Sequence, residues 1–341
     1  MSESPPPPSA RRWILGTALV VWTAWLIGMV AGDHWGLFRE GWFMSITMAF
    51  GSFVAGATSE GGGAVAFPVM TLGFQIAPPV ARDFSLMIQS VGMSSAALTI
   101  LGSRIPVEHR SLIWSSLGGA IGMIVGLEFV APRLSPTFAK LTFLAVWLAF
   151  AFALFWINRY REREVRLDIE HFGARHATLL LGAGLIGGTI SAITGSGLDI
   201  LTFSLLVLRF RISEKIATPT SVILMAINAC VGFAWKASAG GGMAAEAWSY
   251  WWVCVPIVVV GAPFGASFIR DRSRLFVASI LYVAIGVQFI AGLVIIEQTP
   301  QVVAFTAAVF AAALLMFRSM ARGGVRRLDW LTTVREDGAG Q

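Results

Sequence analysis

Charge is scarce in this chain. Asp, Glu, Lys and Arg make up 13% of its 341 residues, where a soluble domain carries roughly 25%. A fold that stays in water by clothing itself in charged side chains is thereby excluded. Cysteine is almost missing: Cys230 and Cys254 both fall in apolar runs, which argues against a disulfide framework and fits packing residues. Histidine is sparse, and His171 and His176 with Glu170 lack a fourth ligand at good spacing, so no metal is expected. No nucleotide-binding loop and no convincing catalytic triad occurs, so neither a cofactor nor an enzyme activity is expected.

What is abundant is apolar surface. The hydrophobic fraction is 56% and the mean hydropathy +0.74. Runs near the length of a bilayer span, about 20 residues, recur along the chain. They do not alternate apolar and polar residues as barrel strands do, so the expected class is an all-α polytopic membrane protein. The runs fall at about 13–32, 42–58, 62–76, 84–103, 112–131, 139–157, 177–194, 197–210, 216–236, 248–269, 275–296 and 300–318. Ahead of them, "MSESPPPPSA" is proline-rich and predicts a disordered tail. Arg11 and Arg12 precede a run without a cleavage pattern, which reads as a retained helix. The segments 62–76 and 197–210 are too short to cross comfortably, and each follows a glycine break, "SEGGG" at 59–63 and "TGSG" at 194–197.

The formal net charge of +6 could suggest a nucleic-acid partner, but the placement of the charge answers it. With the N-terminus in the cytoplasm and each broken pair returning to its starting side, all of the 25 Lys and Arg except Arg39, Arg82, Arg133, Lys140 and Lys236 fall on the cytoplasmic side. This is the positive-inside bias of a membrane protein with both termini cytoplasmic. It leaves the lipid bilayer as a partner and no nucleic acid. Two full crossings and a re-entrant hairpin end on the same side. Eight full spans plus two broken pairs are favoured, and twelve crossings stay open.

The chain also resembles itself. Phe74, Ile76, Ala81 and Ser85 recur at a constant offset as Phe210, Ile212, Ala217 and Ser221, and "GMIVG" (122–126) answers "GAPFG" (261–265). Gly61 and Gly63 stand opposite Gly195 and Gly197 in this alignment. The organisation predicted is a tail at 1–12, an extra span at 13–32, a first repeat at 42–157, a basic cytoplasmic loop at 158–176, a second repeat at 177–296, a last span at 300–318 and a tail at 319–341. Each repeat is a glycine-broken pair, re-entrant or spanning, followed by three spans. An odd number inverts the second copy, the plan of many secondary transporters. The glycine pairs Gly122 and Gly126, extended by Gly118, and Gly261 and Gly265 predict close helix packing.

Irregular backbone inside a bilayer is tolerated where it is buried in protein or lines a wet cavity. A short helix beginning after a glycine turn aims free amides and a positive dipole end at that cavity. Gly62, Gly63 and Ala64 would supply them in one repeat, and Ser196, Gly197 and Leu198 in the other, with Gly61 and Gly195 completing the glycine turns of the substrate site. The hydroxyls of Thr58, Ser59, Thr194 and Ser196 would add donors without charge, and together these groups predict an anion site. Glu60 and Asp199 sit beside the breaks, where an ionised carboxylate is costly. They are candidates for coupling anion movement to protons, or else they cap helices. On the helices that follow, Ser85, Gln89 and Ser90 share one face and Ser221 and Asn228 another. Those faces line the path or bond between helices. Arg82 and Lys236 are expected to snorkel to the outer surface, and Glu128 to pair with Arg133.

Taken together, "EGGGAVAFPVM" followed by "ARDFS" resembles the sulfite exporter TauE/SafE family, and "GLIGGTISAITGSGLDILTF" with "KIATPTS" resembles that family's second half. The resemblance covers about 42–318. It implies eight or so spans and export of small sulfur-containing anions, such as sulfite or organosulfonates like sulfoacetate. An anion channel, or a transporter of another small anion, is the alternative.

Overall fold

The computed structural model describes residues 10–58, 60–158, 165–239, 241–269 and 274–338. Among them the chain forms α1 (Ala10–Ala31), α2 (Leu37–Ala57), α3 (Gly63–Pro68), α4 (Pro78–Gly102), α5 (His109–Val125), α6 (Pro136–Asn158), α7 (Ala174–Thr194), α8 (Leu198–Ser204), α9 (Glu214–Ser238), α10 (Ala245–Ile269), α11 (Arg274–Ile295) and α12 (Pro300–Gly338). Eight of these segments are long and apolar enough to cross a membrane, in α1, α4, α5, α6, α7, α9, α10 and α12. The chain is thus an all-helical, multi-pass membrane protein. Of the expected tail, residues 1–9 lie outside the described residues, and Ala10–Arg12 already belong to α1. Residues 159–164 of the basic loop are also outside them.

The distribution of side chains is that of a lipid-soluble object. Leu19, Val20 and Ile27 of α1 and Val283, Val287 and Val294 of α11 are exposed. Glu60, Asp83, Gln89, Asp199 and Asn228 are buried. Water-soluble folds do the reverse.

The two repeats are built alike. Each has a long helix that ends at a glycine break, a short helix, a wide π-helical turn, and a long helix again. The turns are Val69–Gly73 and Leu205–Arg209. Phe74 N donates to Val69 O at 3.0 Å and Ile76 N to Met70 O at 2.8 Å; Phe210 N to Leu205 O at 3.2 Å and Ile212 N to Leu206 O at 3.0 Å repeat the pattern. With its turn, α3 spans about 16 Å and α8 about 18 Å at 1.5 Å per residue, roughly half of the 30 Å hydrocarbon core.

Across the repeats, α2 packs on α10 and α5 on α7, while α4 packs on α9. Glycine makes the first two contacts possible. A Cβ on Gly118 or Gly122 would fall on the carbonyls of Leu181 or Leu185, and one on Gly184 or Gly188 on those of Ser115 or Gly119. Gly265 meets Phe53 O in the same way, and Gly261 the hydroxyl of Ser52. The expected role of these glycines in close packing is what the structure shows.

Prolines inside helices strip a carbonyl four residues earlier of its donor, and within lipid that carbonyl must be served by protein. Each of three is. Pro68 frees Ala64 O, which takes a bond from Gln288 Nε2 of α11 at 3.0 Å. Pro256 frees Trp252 O, filled by Trp25 Nε1 of α1 at 2.7 Å. Pro263 frees Val259 O, filled by Ser95 Oγ of α4 at 2.8 Å. These bonds tie α11 to the first break and α1 and α4 to α10.

Candidate functional site

The two glycine breaks meet. Gly61 N donates to Asp199 Oδ2 of the other repeat. Gln89 of α4 donates its Nε2 to Gly195 O at 2.7 Å and to Ser85 O at 2.9 Å. Both partners are carbonyls, so the amide orientation is settled by its neighbours. Its Oε1 is left without a donor, beside Gly61. A Cβ on Gly63 would lie 3.2 Å from Gly195 O, and one on Gly195 would run into the side chain of Ser85. Gly195 has φ +83° and Gly197 φ +149°, backbone that side-chain-bearing residues rarely adopt.

The repeats share the chemistry of the helix end as well as its shape. Thr58 Oγ1 donates to Val54 O at 2.8 Å, and Thr194 Oγ1 to Ile190 O at 3.1 Å. Thr58 and Thr194 stand at the same offset as Phe74 and Phe210. That register pairs Gly61 with Gly197, two residues away from the pairing of Gly61 with Gly195 expected from the glycines. A run of glycines is a poor ruler because one glycine looks like the next. The threonine hydroxyls mark the helix ends.

The two acids, equivalent by their position beside a break, differ in what surrounds them. Asp199 accepts from Gly197 N at 2.9 Å, Ile200 N at 3.0 Å and Ser196 Oγ at 3.0 Å, as well as from Gly61 N. It caps α8 and pins the opposite break. Among the described residues neither oxygen of Glu60 has a partner, although Glu60 is 1% exposed and lies within electrostatic reach of Asp199.

Several expected anion donors are already committed. Ala64 N donates to Gly61 O, Gly197 N to Asp199 and Leu198 N to Ser191 Oγ at 3.0 Å. The hydroxyls of Thr58, Thr194 and Ser196 also bond protein groups. Of the six amides expected to face the cavity, those of Gly62, Gly63 and Ser196 have no acceptor among the described residues. Ser59 lies outside the described residues. Asn228 of α9 is 1% exposed with both amide atoms unpartnered, beside Gly119 and Leu198 at the start of α8. All the described site residues are buried, so this is an occluded arrangement.

The model of the family described as sulfite exporter TauE/SafE matches residues 43–289. The chain belongs to that family. No curated protein and no solved structure matches it. Membership makes this TauE/SafE chain a membrane transporter for small sulfur-containing anions, working within lipid.

Three expectations at the edges of the TauE/SafE bundle need correction. Arg82 and Lys236 do not simply snorkel. Arg82 Nη2 lies 2.9 Å from Asp83 Oδ1 and Lys236 Nζ 2.6 Å from Asp83 Oδ2, with Asp83 1% exposed. Glu128 accepts from Trp235 Nε1 at 2.8 Å, and Arg133 donates to Phe129 O instead. Cys254 is buried as a packing residue, while Cys230 is exposed; both thiols are free. Asp83 and Gln288 are not singled out by the sequence. The charge pair in "ARDFS" was a signal for the first, whereas nothing local marks the second.

Proposed function

We propose that this protein is a secondary transporter that exports sulfite or an organosulfonate such as sulfoacetate across the bacterial inner membrane, and that it is not an enzyme. Both termini face the cytoplasm and the two repeats are inverted. The anion sits near the midplane, between the opposed N-termini of α3 and α8, where the amides of Gly62, Gly63 and Ser196 and the amide group of Asn228 would face it. The observation that carries this is the meeting of the two breaks through the Gly61–Asp199 and Gln89–Gly195 bonds, because opposed broken helices are where secondary transporters hold their ligands.

Glu60 is assigned to proton coupling. A buried carboxyl with no donor is cheapest in its neutral form, and a neutral Glu60 also removes the repulsion an approaching anion would feel. Asp199 positions the break. The buried, occluded site favours alternating access over an open pore.

The test is uptake into proteoliposomes of sulfite, thiosulfate, sulfoacetate, taurine and sulfate, with and without a pH gradient. Saturable counterflow of a sulfur anion is expected, and it should respond to the gradient. Movement of none of the five refutes the substrate assignment, and steady unitary currents would make the protein an anion channel.

A further inference from the structure

Asp83 takes no part in the central site, yet it is the hub of a second charged cluster. Its Oδ1 accepts from Arg82 Nε at 3.0 Å and Nη2 at 2.9 Å; its Oδ2 accepts from Lys236 Nζ at 2.6 Å and Ala244 N at 3.0 Å. Two cations and a backbone amide thus converge on the two oxygens of one carboxylate. This is the donor set that recognises an oxyanion. The charges do not balance: among the described residues the two cations share a single carboxylate partner.

The position of the cluster matters as much as its chemistry. A Cβ on Gly195 would lie 3.3 Å from Arg82 O and would run into Ser85, so the turn of α4 that carries Arg82 and Asp83 is the turn that lines the second break. The cluster is adjacent to the central site along α4, on the side of the segment joining α9 to α10. The side chains of Arg82 and Lys236 keep 10% and 15% of their exposure, against 1% for Asp83. The cations therefore lie between the carboxylate and the open edge of the bundle. Lys236 Nζ also donates to Gly242 O at 2.7 Å, and Gly241 and Gly242 hold φ of +81° and +87°. Two points of the described part of the connecting segment are bonded to the cluster, Gly242 O by Lys236 and Ala244 N by Asp83.

We propose that Arg82 and Lys236 form a second anion site, a way-station for the same small oxyanion, and that Asp83 fills it as a built-in competitor while the protein is occluded. This rests on the transport reading for its ligand. A sulfite or sulfonate leaving the central site offers oxygens to the donors that Asp83 holds. As it displaces the carboxylate it takes over Lys236 and Ala244 N, so the described part of the segment between α9 and α10 is then held by the ligand and no longer by Asp83 of α4. Occupation of the way-station uncouples that segment from α4.

The experiment uses the full-length protein, with sulfite as the probe. Calorimetry in detergent reads the number of sulfite ions bound, and counterflow reads KM and kcat separately. Asp83→Asn keeps the shape and removes the competing charge. It is expected to bind a second equivalent of sulfite and to lower KM about tenfold, the effect of one charge-assisted hydrogen bond regained by the ligand. Lys236→Met is expected to raise KM about tenfold with little change in kcat, and Lys236→Arg to restore it. If Asp83→Asn does not fold, the two Lys236 variants decide. A cluster that only braces the fold would change stability and leave KM and stoichiometry as in the wild type, and that result overturns the proposal. A wild type that moves no sulfur anion refutes the transport reading instead, while the count of bound sulfite in Asp83→Asn still judges the second site.

Discussion

Adding one methyl group at Gly61 tests whether the contact between the breaks is the centre of the machine. A Cβ built there runs into Gln89 Oε1, and lies 2.8 Å from Ser196 Oγ and 2.9 Å from Asp199 Oδ2. None of these atoms can retreat cheaply. Gln89 is held by two carbonyls, and Asp199 by the amides of Gly197 and Ile200. Relief must come from separating the breaks, which forfeits the bond from Gly61 N to a carboxylate, about 1.5–3 kcal/mol. Overpacking adds about 1–3 kcal/mol, so Gly61→Ala should lose about 2.5–6 kcal/mol of stability and transport should fall by at least about tenfold, the factor that about 1.4 kcal/mol supplies. Two other glycines, Gly62 beside it and Gly182 in α7, serve as controls. A Cβ on Gly62 meets Gln89 Cγ and Met48 Cε at 3.5 Å and Ala55 Cβ at 3.7 Å, all ordinary van der Waals contacts, and one on Gly182 meets nothing within 4 Å. Gly62→Ala should be nearly silent in stability, and Gly182→Ala in mid-helix should gain about 0.5–1 kcal/mol. Thermal unfolding in detergent and sulfite counterflow in proteoliposomes read both quantities on all three variants. Wild-type stability and transport in Gly61→Ala would refute the reasoning.

Glu60→Gln alters a side chain whose oxygens have no partner among the described residues, so no hydrogen bond is lost and stability should stay within about 1 kcal/mol of the wild type while the response of uptake to a pH gradient disappears. A wild-type response in this variant removes Glu60 from coupling. Asp199→Asn should behave in the opposite way. It keeps the size but removes the charge from a group that four donors address, and unfolding measurements should show a loss of about 2–3 kcal/mol; a melting curve like the wild type's would mean that these donors are satisfied otherwise. Gln288→Leu takes the donor from Ala64 O, which Pro68 has already deprived of its own. It should cost about 1–3 kcal/mol and weaken transport through α3, and unchanged stability would show that the carbonyl finds another donor.

How much of this was legible in the sequence depends on the distance over which each feature is set. The spans and the breaks are local: apolar runs and glycines state them, and the structure adds exact ends. The duplication is also legible, but its register is not read from glycines, since Gly61, Gly62 and Gly63 offer three ways to align with "TGSG". Thr58 and Thr194 resolve it because a hydroxyl returned to its own last turn is a geometric fact about a helix end. Prolines tell in advance which carbonyls are orphaned, Ala64, Trp252 and Val259, but the donors that serve them arrive from α11, α1 and α4 and cannot be seen along the chain. The two acids make the point most sharply. As letters beside a glycine break they are alike. In the folded protein Asp199 reaches across to Gly61, while Glu60 finds no donor. One becomes a brace between the repeats and the other a buried carboxyl without a donor among the described residues. In the function proposed above, that division would supply a fixed joint that keeps the two broken helices opposed and, beside it, a charge that can be cancelled when the anion arrives.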